Sequence, residues 1–222
     1  MAGTARRAVV VRGGWDGHAP TEATERFIPF LREQGFEVVV SESLDAYTDT
    51  ALMARTDLVL QCWTMGSPDE GQVDGLRTAV EAGTGFAGWH GGIVDSFRSS
   101  PAYLQLVGAQ FAAHPGGVHE HTVEVVPARA DHEIVRGLPP AFTVEDEQYW
   151  VATDPRIEVL ATTTVPSRDG DPWHTPVTFP AVWTRRWGAG RIFVCTPGHR
   201  LPTLDVPQIR TVIERGLLWA SR

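Results

Sequence analysis

The sequence predicts an α/β fold: a mainly parallel sheet between layers of helices, gaining antiparallel strands late in the chain. Two observations carry this. The first half alternates short, continuously apolar runs with amphipathic helical stretches, the pattern of strands buried on both faces. The second half changes to runs with strand-like alternation and a hairpin signal.

The elements follow in order. Arg7 to Val11 is a β-branched run and reads as the first strand; it opens into the glycine-rich loop Arg12-Gly13-Gly14-Trp15-Asp16-Gly17-His18. Pro20 to Gln34 reads as one helix, with Phe27, Ile28 and Leu31 at helical spacing and Gly35 as its stop. Phe36 to Val40 and Asp57 to Cys62 are the next strands. Ser67-Pro68-Asp69-Glu70 reads as a capping box, with proline in the first helical position, for a helix running to about Ala82. Gly85 to Trp89 is a short buried strand. Later, His119 to Val126, Ile157 to Thr164, Ala181 to Arg186 and Arg191 to Thr196 are strand-like, the last two joined by a turn at Trp187 to Gly190. Asp205-Val206-Pro207-Gln208 is expected to cap a final helix with an apolar stripe of Val206, Ile209, Val212, Ile213, Leu217 and Ala220. No repeat or linker interrupts the chain, so residues 1–222 read as a single domain.

Composition removes several functions. The net charge of −8 argues against a nucleic-acid partner. No apolar run approaches the roughly 20 residues that span a bilayer, and the apolar stretch after Arg7 is too short for a signal peptide. No membrane partner and a cytoplasmic location are therefore expected. Cys62 and Cys195 form neither a disulfide framework nor a zinc cluster. All 19 Lys-or-Arg positions are arginine, which excludes a Schiff-base lysine and a phosphate-loop lysine. Asparagine is also absent, so a Cys-His-Asn triad cannot form.

Ligands of parallel sheets bind beyond the carboxyl ends of the strands. The loops at Gly13-Gly14, Trp63-Thr64 and His90-Gly91 sit at such ends. In Gly85-Phe86-Ala87-Gly88-Trp89-His90-Gly91-Gly92, a polar residue follows a strand at once and is flanked by glycines. That is the pattern of a nucleophile elbow with histidine as its exposed tip. Histidine there suggests acid–base or metal chemistry rather than acyl transfer. His114 lies in a turn-forming loop, Glu147 in the acidic run Glu145-Asp146-Glu147 before an aromatic pair, and His199 after the last strand. His119 and His121, two apart, share one strand face; a half-exposed strand explains them better than a metal site does. His132 reads as a turn-ordering residue and His174 as a surface one.

Read in order, Gly88-Trp89-His90-Gly91-Gly92, His114-Pro115, Asp131-His132-Glu133-Ile134, Gly137-Leu138-Pro139, Glu147-Gln148-Tyr149, Pro180 to Trp183, Gly188 to Phe193 and Gly198-His199 resemble the ThuA-like, or trehalose-utilisation, family over nearly the whole chain. The resemblance implies a flavodoxin-like, class I glutamine amidotransferase-like three-layer sandwich. In those amidotransferases a cysteine occupies the elbow, and a histidine after the last strand is followed two residues later by glutamate. Here His90 takes the cysteine's place and Leu201 the glutamate's, so glutaminase chemistry is not expected. The resemblance implies instead the handling of sugars, particularly keto-disaccharides.

The reading is an enzyme acting on a small-molecule sugar through His90, His114, Glu147 and His199. Gly14, Trp15, His18, Trp89, Gly91, Tyr149 and Trp183 are expected to bind substrate, with no cofactor and no metal. Two alternatives stand beside it. One is a non-catalytic sugar-binding or regulatory domain. The other is a metal-dependent hydrolase with His90, His114 and His199 as ligands. A homo-oligomer is compatible with the sequence.

Overall fold

The computed structural model describes residues 6–222; Met1 to Ala5, the start of the span read as one domain, lie outside the described residues. The strands are β1 (Arg6–Gly14), β2 (Phe36–Ser41), β3 (Leu58–Thr64), β4 (Gly85–Trp89), β5 (Ala109–Ala113), β6 (Val118–Val125), β7 (Ala141–Glu147), β8 (Trp150–Thr153), β9 (Glu158–Val165), β10 (Val177–Trp187) and β11 (Gly190–Cys195). The helices are α1 (Pro20–Glu25), α2 (Ile28–Glu33), α3 (Thr50–Ala54), α4 (Glu70–Glu81), α5 (Gly91–Val94), α6 (Pro101–Val107), α7 (Leu201–Leu204) and α8 (Pro207–Ala220).

One mixed sheet runs in the order β2-β1-β3-β4-β11-β10-β9-β6-β7, and β5 pairs with β8 separately. The first five strands of that order are mutually parallel and the rest antiparallel, as the change of pattern along the sequence predicts. Side chains alternate across each strand, so the parallel half feeds two cores. Val10, Leu60, Ala87 and Phe193 pack with α8 on one face; Val9, Val59, Phe86 and Val194 pack with α4 and α6 on the other. No helix among the described residues is long and apolar enough to cross a membrane.

Four local expectations are corrected. The helix expected over 20–34 is two short helices, because Pro29 lacks the N–H that a continuous helix would use there. The capping box of α4 is formed by Asp69 and Gln72, and Pro68 stays outside the helix. Asp205 does not cap α8; its carboxylate pairs with Arg26 at 3.1 Å, and Val206 occupies the cap position without a side-chain bond. Strands β5, β7 and β8 were not expected. β7 alternates with Phe142, Val144 and Asp146 inward, a pattern hidden by its acidic residues.

The order of the parallel strands reverses between β1 and β3, the place where sheets of this kind bind ligands. β1 runs on to Gly14, which pairs with Thr64. Gly14 has φ +80°, and a Cβ there would lie 2.1 Å from the Thr64 carbonyl oxygen, so only glycine lets the two ends approach.

Both cysteines are buried, Cys62 on β3 and Cys195 on β11. Burial pushes the Cys62 thiol up to about 12, and Cys195 further in the same direction. Thiolate is the reactive form, so neither thiol is expected to react with iodoacetamide in the native protein at neutral pH. Mass spectrometry should show labelling only after unfolding; rapid native labelling would contradict this packing.

Candidate active site

His90 follows β4 with φ 49° and ψ −143°, a conformation that non-glycine residues rarely adopt. Strain of this kind costs about 1–3 kcal/mol. Two contacts hold it. The His90 backbone N–H donates to the Cys195 carbonyl at 2.7 Å, and Nδ1 meets the Thr196 carbonyl at 2.8 Å. A carbonyl only accepts, so Nδ1 carries the hydrogen. The elbow expected from the sequence is therefore present. Its tip, however, is 1% exposed rather than open to solvent. The ring turns inward and places Nε2 2.7 Å from the Tyr149 hydroxyl and 3.3 Å from Glu147 Oε2.

Glu147 ends β7 on the far edge of the sheet, yet it reaches three imidazoles. Besides His90, its Oε2 lies 3.4 Å from His199 Nδ1 and its Oε1 lies 3.8 Å from His114 Nε2. The four side chains expected to carry chemistry thus meet around one carboxylate. They come from the β4 elbow, the loop after β5, the end of β7 and the loop after β11.

His18 joins them from the short 3-10 turn Asp16–His18. Its Nδ1 is 2.7 Å from Thr64 Oγ1, and its ring meets those of His90 and His199 edge-on at 4.8 and 5.1 Å between centroids. Gly91 makes room for it, since a Cβ there would lie 2.5 Å from His18 Cε1. Trp15 stands against His18 at 4.7 Å and is 47% exposed, which leaves an open indole face beside the cluster.

Other expected positions have different places. Trp183 is fully buried, donates its indole N–H to the Val107 carbonyl at 3.3 Å, and offers no face to a sugar. This is packing against α6, which the strand pattern could not distinguish from an inward-facing pocket wall. Trp89 is also core, against Phe27 at 4.8 Å. Tyr149 is buried and acts on His90. His132 accepts the Ile134 N–H within its turn, and His174 is exposed, as expected.

One residue was missed. Asp146 is fully buried and accepts the backbone N–H groups of Gly198 at 2.6 Å and His199 at 3.1 Å. Each such charge-assisted bond contributes about 1.5–3 kcal/mol. It anchors the loop that presents His199. The only sequence signal was its place on the inward face of an alternating strand.

The electrostatics follow from burial. Desolvation, with the neighbouring His90 and His199, lowers the His18 pKa from 6.5 to about 3. Desolvation and His90 also lower that of His199. For Glu147 burial opposes the charge, but the His90 contact and the surrounding imidazoles outweigh it and hold the carboxyl below the usual range. Burial, with nearby carboxylates, keeps the Tyr149 hydroxyl protonated well above its ordinary range. At neutral pH the cluster thus contains an ionised carboxylate, a phenol that can donate, and at least two neutral imidazoles.

Comparison with known proteins agrees with this fold. The structure resembles a ThuA-like protein from Bacteroides uniformis, with TM-score 0.77 and 18% identity, covering 99% of this chain and 93% of that one. It also resembles a ThuA-like protein from Parabacteroides merdae, with TM-score 0.75 and 18% identity, covering 98% and 90% of the two chains. A β-galactosidase from a Bacillus circulans strain contains a similar fold, at TM-score 0.57 and 15% identity over 97% of this chain and 30% of that one. At these identities the likeness concerns the fold alone. No curated protein matches the sequence. The profile of the ThuA family, described as trehalose utilisation, matches residues 7–220, and the chain belongs to that family.

Proposed function

We propose that this protein is an enzyme acting on a sugar or keto-disaccharide, with the histidine–glutamate cluster as its reactive centre. Membership of a trehalose-utilisation family supports a carbohydrate role. The observation that carries the enzymatic reading is the set of 3.3, 3.4 and 3.8 Å approaches of His90, His199 and His114 to Glu147. A site that only binds a sugar has no need of one charged carboxylate shared among three imidazoles; proton transfer does.

The roles follow from exposure. The His114 side chain is 45% exposed, stacked on Phe111 at 5.6 Å, and is the group placed to exchange protons with substrate and solvent. Glu147, 13% exposed, balances its charge from below. The open face of Trp15 supplies a platform for the apolar side of a sugar ring. A reaction at a carbon beside a carbonyl, or at a glycosidic oxygen, uses these groups in the same way. Product analysis separates hydrolysis, elimination and isomerisation.

The direct test is turnover of a panel of keto-sugars and glycosides, followed by NMR. Glu147→Gln and His114→Ala are each expected to lower the rate about 10²–10⁴-fold, with circular dichroism unchanged. Binding across the panel without turnover would make this a sugar-binding domain. Full activity in Glu147→Gln would remove the cluster from the mechanism.

Stability should carry the mark of the buried imidazoles. His18 keeps a folded pKa near 3 against 6.5 when free, so the unfolded chain takes up a proton that the native state refuses. Its contribution therefore weakens the fold as pH drops below about 6.5, by about 1.4 kcal/mol per pH unit, until the native ring titrates too. Glu147 acts the same way only at lower pH, where its favourable charge is lost. Urea unfolding of chelator-treated protein at pH 7.5 and 5 should show this loss, smaller in His18→Gln. Equal losses in the two proteins would count against it.

A further inference from the structure

The inner members of the cluster present their lone pairs to one another. His90 spends its Nδ1 hydrogen on the Thr196 carbonyl, so Nε2 of the neutral ring is an acceptor. It takes the Tyr149 hydroxyl at 2.7 Å and also faces Glu147 Oε2, another acceptor, at 3.3 Å. His199 Nδ1 is buried, lies 3.4 Å from that same oxygen, and has no hydrogen-bond partner among the described residues. A buried polar atom left unpaired costs about 1–3 kcal/mol. His18 is held at Nδ1 by Thr64, which leaves its Nε2 free. One donor atom from each of His18, His90, Glu147 and His199 lies within 4.8 Å of every other. A cation at the centre of this convergence would satisfy the Glu147 oxygen and the unpaired His199 nitrogen together.

We propose that His18, His90, His199 and Glu147 form a binding site for one divalent transition-metal ion. Ligands about 2.0–2.1 Å from a tetrahedral zinc-like ion stand about 3.3–3.4 Å apart. The closest approaches here, 3.3 and 3.4 Å, match that spacing. Three imidazoles and one carboxylate suit zinc, manganese, iron, cobalt or nickel, whereas magnesium and calcium require mostly oxygen. The surroundings are also those of a ligand set. The outer nitrogen of His90 donates to a carbonyl, that of His18 is fixed by a hydroxyl, and Asp146 holds the His199 backbone.

The ligand set differs from the one the sequence suggested: His18 replaces His114, which reaches only the other oxygen of Glu147. The inference rests on the reading of this cluster as the reactive centre and deepens it. By expanding to a fifth position the ion would polarise a carbonyl or hydroxyl oxygen of the sugar, leaving His114 outside the ligands to carry protons.

The test is titration of chelator-stripped protein with Co²⁺, read by its visible ligand-field absorption, together with elemental analysis of the protein as purified. One ion per chain is expected, undisturbed by excess Mg²⁺ or Ca²⁺. His18→Ala, His199→Ala and the isosteric Glu147→Gln should each weaken binding at least about 100-fold, and His114→Ala should leave it intact. Circular dichroism identifies any variant that fails to fold, and Glu147→Gln, the smallest change, then decides. Absence of Co²⁺ binding by the wild type, or undiminished binding by folded Glu147→Gln, would overturn the site. Stoichiometric binding without turnover of any sugar removes the proposed activity and keeps the site; turnover by protein shown to be metal-free does the reverse.

Discussion

The histidine–glutamate cluster depends on one buried carboxylate that itself takes no part in it. Asp146, the last residue but one of the outermost antiparallel strand, accepts two backbone N–H groups from Gly198 and His199, which follow the last parallel strand. These bonds tie the far edge of the sheet back to its centre. Because side chains alternate along β7, fixing Asp146 inward turns the adjacent Glu147 to the other side. There it meets histidines contributed by the parallel half. An isolated buried charge would be prohibitively costly, so the bonds that satisfy Asp146 also force the loop geometry.

The elbow at His90 solves a related problem. In the amidotransferase-like arrangement that the sequence resembles, a strained turn presents a nucleophile. Here the backbone strain persists at φ 49°, but it serves to turn an imidazole inward. Hydrogen bonds from both the backbone N–H and Nδ1 to β11 and the loop after it overcome the strain. The strained turn after β4 is thus kept while the group it delivers is an imidazole.

Crowding imidazoles in a dry site has a thermodynamic cost, visible in the lowered pKa values of His18 and His199. Each protonated neighbour would repel the next, and burial penalises every charge. Glu147 reduces that cost by offering one shared negative charge. The gradient from buried His18 and His90 to half-exposed His114 leaves a single imidazole in ready exchange with solvent.

The alternation of strands and helices, the switch to antiparallel pairing and the loops at the carboxyl edge were all legible in the sequence, because hydrophobic period and glycine placement are local properties. The types of residue at the candidate site were legible too, since His90, His114 and His199 each stood at a turn or strand end and Glu147 in an acidic run before an aromatic pair. The burial of His18 and Asp146 was not. A histidine after a glycine loop and an aspartate in an acidic run carry no local mark of burial. Trp183 shows the converse, an aromatic on a strand whose pocket-facing or core-facing side is set by the helix packed on it. Only the tertiary structure decided these, because desolvation and the convergence of lone pairs arise between segments up to 181 positions apart (199 minus 18), and no local pattern encodes them.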